Sequence, residues 1–242
     1  MELLLDYYFY KRDKYHFYKY LNFIEIKLNI YINSIMIQKI IHQMFLGETG
    51  EKIKDFPLYL HNSKKWRNWA NKNGYIYKFY TAKDIEPYLD ADVKKFYNGL
   101  RYKWQRIDFS RYLVLNRDGG IYIDLDIAPT KYGEQHFNNY VENNNYLLNK
   151  WYNGKNGKWE LNNALMGFPK GTLGGLINYS ISETHAKADL EIYKKWKVRF
   201  MLHTTGVRMF KRWCKMNKLT YSEDIHKYVK DHCTASWLNN FK

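Results

Sequence analysis

Two aspartates, Asp124 and Asp126, follow directly on the apolar run Ile121-Tyr122-Ile123. On an extended strand, residues i and i+2 share a face, so both carboxylates are expected to point the same way. Like charges placed so repel unless a cation stands beside them. Hard oxygen donors suit Mg²⁺ or Mn²⁺, and such an ion can neutralise a pyrophosphate as it departs. Upstream, Asp108 and Arg111 are spaced to share one face of a helix. An exposed pair of this kind is worth only about 0.2–0.5 kcal/mol and needs no function. This helix, however, also carries Trp104, Ile107, Phe109, Tyr112, Leu113, Val114 and Leu115, so it is apolar on most sides. A charged pair on a buried helix is costly, which favours a functional reading.

The elements that must position these groups can be read around them. Lys103 to Arg117 reads as the clearest helix, stopped by Gly119-Gly120. Ile121 to Ile127 reads as a strand. Earlier, Ile37 to Phe45 is a nearly continuous apolar run, as in a strand buried on both faces. Asn62 and Ser63 are expected to cap a helix carrying Trp66 and Trp69, and Tyr75 to Tyr80 to form a second strand. Thr81 caps a short helix through Lys83 and Asp84. Tyr146 to Trp151 and Leu161 to Phe168 read as strands; Leu173 to Phe200 and Gly206 to Met216 read as helices with a short break between them. A second Asp-x-Asp triplet, Asp90-Ala91-Asp92, has no preceding β-run and reads as a solvated loop. The alternation predicts one α/β domain with a mostly parallel central sheet flanked by helices. Ligands of such open sheets bind at the carboxyl ends of the strands, where Asp124 and Asp126 would lie.

The 242 residues carry 39 Lys+Arg against 24 Asp+Glu, a formal charge of +15, and are 45% hydrophobic. That apolar content supports a core and excludes a disordered chain. The two cysteines, Cys214 and Cys233, exclude a disulfide framework or a Cys-based zinc site and read as free thiols in a reducing compartment. The positive charge fits nucleic acid, an anionic membrane face or phosphate-bearing small substrates. The lysines are spread along the chain without a block of five or more like charges, which argues against a basic nucleic-acid tail. The most apolar early stretch, Tyr18 to Ile37, is interrupted by Glu25, Lys27 and asparagines, so neither a spanning helix nor a signal peptide is expected. Residues 1–35, rich in Tyr, Phe, Lys and Asn, read as an N-terminal extension. Met36 is expected to open the domain proper, residues 36–242.

Three segments together, "KIIHQMF" at 39–45, "QRIDFSRYLVLNRDGGIYIDLDI" at 105–127 and "HCTASW" at 232–237, resemble glycosyltransferases with the DXD sugar-binding region, and most of all glycosyltransferase family 32. That family includes capsular polysaccharide and mannosyltransferase-like enzymes. The resemblance implies a GT-A-type nucleotide-sugar-binding fold, a UDP- or GDP-sugar donor, a divalent metal (Mn²⁺ or Mg²⁺), and retention of anomeric configuration. Carried over residue by residue, it implies Asp126 as a direct metal ligand and Asp124 as a ligand of ribose and metal. Asp108 and Arg111 would grip the donor sugar and its phosphate. His42 and Gln43 would lie where the nucleotide base sits. His232 becomes a further metal ligand, and Ser236 and Trp237 close over the diphosphate. Asn162 and Asn163, in "ELNNALMGFP", would stand beside the sugar and acceptor. In "HTTGVRMF" at 203–210, Val207 replaces the proline of the family's Thr-Gly-Pro motif.

The expected reaction is transfer of a hexose to an acceptor hydroxyl on a glycan or glycolipid, by an enzyme located in the cytoplasm with a peripheral membrane contact open to it. The alternatives keep the site and change the output: a protein-modifying glucosyltransferase of the toxin type, or a sugar-nucleotide hydrolase. A basic nucleic-acid-binding module is a different class, and no standard nucleic-acid motif supports it. A catalytically dead sugar-binding scaffold conflicts with the intact Asp108, Arg111, Asp124 and Asp126.

Overall fold

The computed structural model describes residues 36–47, 51–153 and 157–232. The expected extension (1–35) and the residues Cys233, Ser236 and Trp237 lie outside them. The elements that bear on the site are β1 (Ile40–Met44), α1 (Pro57–Lys72), β2 (Ile76–Tyr80), α2 (Ala82–Ile85), α3 (Ala91–Asn98), α4 (Lys103–Asp118), β3 (Gly120–Ile123), β4 (Ile127–Pro129), α5 (Lys131–Glu142), β5 (Leu147–Asn153) and β6 (Lys158–Phe168). They are followed by α6 (Gly174–Lys187), α7 (Glu191–Lys195), α8 (Lys197–Thr204), α9 (Val207–Met216), α10 (Ile225–Tyr228) and β7 (Val229–Asp231).

Five strands form one sheet in the order β2-β1-β3-β6-β5. β1 pairs in parallel with both β2 and β3, and β6 joins β3 and β5 antiparallel. The fold is therefore α/β, with a parallel centre and an antiparallel hairpin on one flank. Both faces are covered. Ile121 and Ile123 on one face of β3 pack with Trp66, Trp69 and Phe137. Tyr122, on the other face, packs into a cluster with Phe109, Tyr112 and Phe210. All four residues of β3 are buried, as expected of a central strand covered on both faces. Among the described residues no helix is long and apolar enough to cross a membrane.

Four local readings need correction. α1 begins at Pro57, with its missing N–H placed at the first turn, so Asn62 and Ser63 are interior, buried residues and not caps. Asp90 is the N-cap of α3, accepting from the Val93 N–H at 2.9 Å, and not part of a solvated loop. The stretch 173–200 is broken into three helices, with Leu190 and Trp196 at the joints. Most consequentially, the strand expected over Ile121 to Ile127 ends at Ile123. The chain turns at Asp124, whose carbonyl accepts from the Ile127 N–H at 3.1 Å, and re-enters as β4, which pairs with β7 in a second, two-stranded sheet. Gly119 and Gly120 do stop α4, at φ 68° and 98°. A side chain on Gly120 would lie 2.6 Å from the Ile40 carbonyl oxygen, so only glycine lets β3 approach β1 there.

Candidate active site

Asp124 and Asp126 thus flank a tight turn at the carboxyl end of β3, and the fold holds that turn from several sides. The Asp124 N–H donates to the Ala164 carbonyl at 2.7 Å. Gln43 reaches the Asp124 carbonyl at 3.4 Å and is itself fixed by the Tyr77 hydroxyl at 2.9 Å. From α1, Asn62 donates to the Leu125 carbonyl at 2.9 Å and Trp66 donates its indole N–H to the Ile127 carbonyl at 2.9 Å. From the C-terminal side, the His232 N–H donates to the Asp126 carbonyl at 3.0 Å. The backbone of the turn is bonded on nearly every side.

Behind the turn stands a buried charge cluster. Arg111 on α4 reaches Asp108 one helical turn earlier at 3.1 Å and both carboxylate oxygens of Asp124 at 3.4 and 3.5 Å. It also donates to the Asn163 carbonyl at 2.7 Å, and its guanidinium lies 4.7 Å from the centre of the Tyr122 ring. The Tyr122 hydroxyl donates to Asp124 at 2.6 Å. Asn163 bonds Asp108 and the Tyr112 hydroxyl, each at 3.2 Å. Burial pushes the Asp124 carboxyl up to about 7 against the pull of Arg111, and Asp126 adds to the push. Asp108 is raised in the same way by burial, partly offset by Arg111 and Asn163. Burial works against the charge of Arg111, but Asp124, Tyr122 and Asp108 outweigh it and hold the guanidinium charged. One Arg111 donor, Nε, is buried without a protein partner among the described residues.

These groups line a cleft of about 380 Å³, within the roughly 300–1,000 Å³ of small-molecule sites. Asp108, Arg111, Asp124, Asp126, Asn162 and Asn163 all face it. One wall is aromatic: Phe45, Phe56 and Tyr59 line it, with ring centres 5.4 and 5.5 Å apart in sequence. Asp231 and Trp151 line it as well, two positions the sequence reading did not single out. Asp231 was hidden by its place in the sequence, and only the pairing of β7 with β4 brings it next to the Asp126 turn.

Two expected cleft residues are elsewhere. His42 is fully buried and bonds the Tyr80 hydroxyl at 2.8 Å and the Gly119 carbonyl at 2.7 Å. A carbonyl only accepts, so Nε2 carries the proton and Nδ1 accepts from Tyr80. Gln43 is equally buried and positions the turn from behind. Both face the interior because β1 is covered on both sides; Met44 at the end of the strand and Phe45 to Gly47 just past it reach the cleft in their place.

The donor set decides how a metal would fit. Among the described residues no three His, Cys, Asp or Glu side chains gather into a metal-holding group, and the His232 side chain is exposed, so the trio Asp124, Asp126 and His232 is not a closed cage. Mg²⁺-type ions, however, are commonly held by one or two carboxylates and completed by substrate phosphates and water. Asp124 and Asp126 at the cleft fit that open arrangement.

The profile described as "Glycosyltransferase sugar-binding region containing DXD motif" matches residues 27–147, half of the chain, including all of α4 and the Asp124–Asp126 turn. Among solved structures, the chain is similar to "PaToxG Glycosyltransferase", at 16% identity over 79% of this chain and 76% of that one, with a TM-score of 0.46. It is also similar to a glycosyltransferase involved in the glycosylation of the major capsid of PBCV-1, at 9% identity over 63% of this chain and 68% of that one, with a TM-score of 0.40. No curated protein matches. With its Asp-x-Asp turn at the mouth of the sheet and the profile match spanning that turn, the chain belongs to the glycosyltransferases whose sugar-binding region contains the DXD motif.

Proposed function

We propose that this protein is a GT-A-type, metal-dependent, retaining glycosyltransferase of family 32, with residues 36–242 as its catalytic domain, moving a hexose from a nucleoside-diphosphate sugar to a hydroxyl of a glycan or glycolipid. The observation that carries the reading is the Asp108–Arg111–Asp124 cluster, buried behind a cleft into which Asp126 also faces. A purely structural ion pair is an expensive way to fill a core. A charge cluster at the carboxyl end of a central strand is, by contrast, where an anionic ligand of an α/β sheet binds.

In this reading the nucleoside packs on the wall of Phe45, Phe56 and Tyr59, and the diphosphate lies over the Asp124–Asp126 turn. Asp126 and Asp124 would hold a Mn²⁺ or Mg²⁺ ion, and His232, whose N–H bonds the Asp126 carbonyl, would be the candidate for a further ligand once its exposed side chain turns inward. Such an ion, when bound, neutralises the charge developing on the departing diphosphate. Arg111 faces the cleft with its planar fork pre-set by Asp108, Asp124 and the Asn163 carbonyl, and its fixed charge attracts the donor phosphate. Asp108 and Asn163 orient the donor sugar, and Asn162 stands on the acceptor side. In a retaining displacement the acceptor oxygen bonds C1 on the face from which the diphosphate departs, and the acceptor proton passes to the departing phosphate oxygen. Fixed charges aimed at that diphosphate stabilise the transition state more than the ground state.

The test is a thermal-shift screen of UDP-glucose, UDP-galactose, UDP-N-acetylglucosamine and GDP-mannose, each with and without Mn²⁺. The expected result is metal-dependent stabilisation by one nucleotide class. Stabilisation by none of the four, in folded protein, would remove the donor-site reading.

A further inference from the structure

The strand order sets two flanks for the cleft. β3, with Asp124 at its end, has β1 on one side and the β6–β5 hairpin on the other. The aromatic wall Phe45, Phe56 and Tyr59 belongs to the β1 side. The hairpin side is built differently. The last β3–β6 pair is Ile123 with Leu165, yet β6 begins at Lys158. At about 3.3 Å per residue, roughly 20–25 Å of β6 therefore extends past the carboxyl edge of β3 as a second wall.

One face of that wall looks into the cleft. In the hairpin register Asn149 pairs with Asn162 and Trp151 with Glu160. Alternation along each strand puts these four on one face, and both Trp151 and Asn162 line the cleft. Trp151 is 36% exposed, and unlike the more exposed Tyr152 and Trp159 of the same hairpin it lines the cleft. Its neighbours on this face are amides and a carboxylate, Glu160 being paired with Lys211. A lone ring among amides does not make an apolar protein-docking surface. It does match a pyranose, which has one apolar C–H face and a rim of hydroxyls.

We propose that Trp151 is the platform for the acceptor sugar: its indole stacks on one pyranose face while the Asn162 side chain bonds the hydroxyl rim. This rests on the glycosyl-transfer reading above and deepens it by naming a neutral pyranose as the group that accepts the hexose. It also assigns the two ends of the cleft, with the nucleoside on the β1 flank, the acceptor on the hairpin flank, and the Asp108–Arg111–Asp124 cluster at the strand that separates them. Trp151 acts here by positioning the acceptor, so its loss should weaken acceptor binding without touching the nucleotide.

The experiment is saturation-transfer NMR on the full chain with UDP, Mg²⁺ and, in separate samples, the methyl glycosides of glucose, galactose, mannose and N-acetylglucosamine. Wild type is expected to bind at least one glycoside. Trp151→Ala should lose that signal at least fivefold, Trp151→Tyr should retain most of it, and UDP signals should be equal in all three. An equal glycoside signal in Trp151→Ala, or no glycoside binding in wild type, overturns the proposal. Absence of UDP binding, with a Trp151-dependent glycoside signal still present, would support the platform and strike only the donor reading. Trp151 is surface-accessible, so the variants are expected to fold, which equal circular dichroism spectra would verify.

Discussion

The Tyr122 hydroxyl donates a 2.6 Å hydrogen bond to Asp124, two residues further along the chain, across the point where the strand becomes a turn. Its ring meanwhile lies against the Arg111 guanidinium. One side chain thereby fixes both the carboxylate and the cation that faces it. Tyr122→Phe keeps the ring and removes the donor. A hydrogen bond to a charged group is worth about 1.5–3 kcal/mol, so donor kcat/KM should fall roughly 10- to 100-fold with little change in Tm. Steady-state kinetics with the donor identified by the thermal-shift screen checks this, and unchanged kinetics would show that Arg111 alone orients Asp124.

The turn that carries Asp126 is held by hydrogen bonds to its backbone. Asp126→Asn should therefore fold normally while losing the Mn²⁺-dependent part of the nucleotide thermal shift. Isothermal titration with Mn²⁺ plus the nucleotide is the direct measurement. Retained activity at saturating Mn²⁺ would contradict the assignment.

Arg111→Lys tests the fork. A lysine keeps the charge but cannot bond Asp108, Asp124 and the Asn163 carbonyl together. Activity should fall at least 100-fold. Arg111→Ala strands the buried Asp108, and breaking a buried pair costs about 3–5 kcal/mol, so urea unfolding should register a loss of that order. Near-native kinetics in the lysine variant would reduce Arg111 to a structural residue.

Gly133 reports on the C-terminal strand. A methyl group there would lie 1.9 Å from the Tyr228 carbonyl oxygen, at the joint between α10 and β7. Gly133→Ala should push this segment off β4 and cost about 3 kcal/mol, the upper part of the range for overpacking. Because β7 continues into His232 beside the Asp126 turn, nucleotide binding should weaken together with stability. A variant destabilised but unchanged in nucleotide affinity would separate the two.

His42 sets a pH dependence away from the site. Burial lowers its pKa to about 4 from the usual 6.5, with the Gly119 hydrogen bond pulling partly the other way. Between these values the unfolded chain binds a proton that the folded chain refuses, so stability falls as pH drops from 6.5 toward 4. At about 1.4 kcal/mol per unit this amounts to roughly 3 kcal/mol. His42→Gln should be less stable at pH 7, yet lose less on acidification than wild type. Urea unfolding of both proteins at pH 7 and pH 5 gives the comparison, and parallel losses would remove His42 as the cause.

Much of this protein was legible in the order of its residues. The apolar runs of β1 and β3, the Gly119-Gly120 stop and the all-round apolar α4 follow from local sterics and periodicity, which act over a few residues. The same holds for the pairing of Asp108 with Arg111, because charges that the surrounding sequence buries must have partners. Only the tertiary structure decided the rest. That Asp124 and Asp126 sit on a turn and not a strand follows from β4 leaving to pair with β7, a partner far along the chain. That Asn62 and Trp66 hold this turn, and that His42 and Gln43 face the interior, depends on which faces α1 and the sheet cover. Trp151 and Asp231 reach the cleft through strand register alone. Register and strand partnership are set by the packing of the whole sheet, and no window of neighbouring residues contains that information.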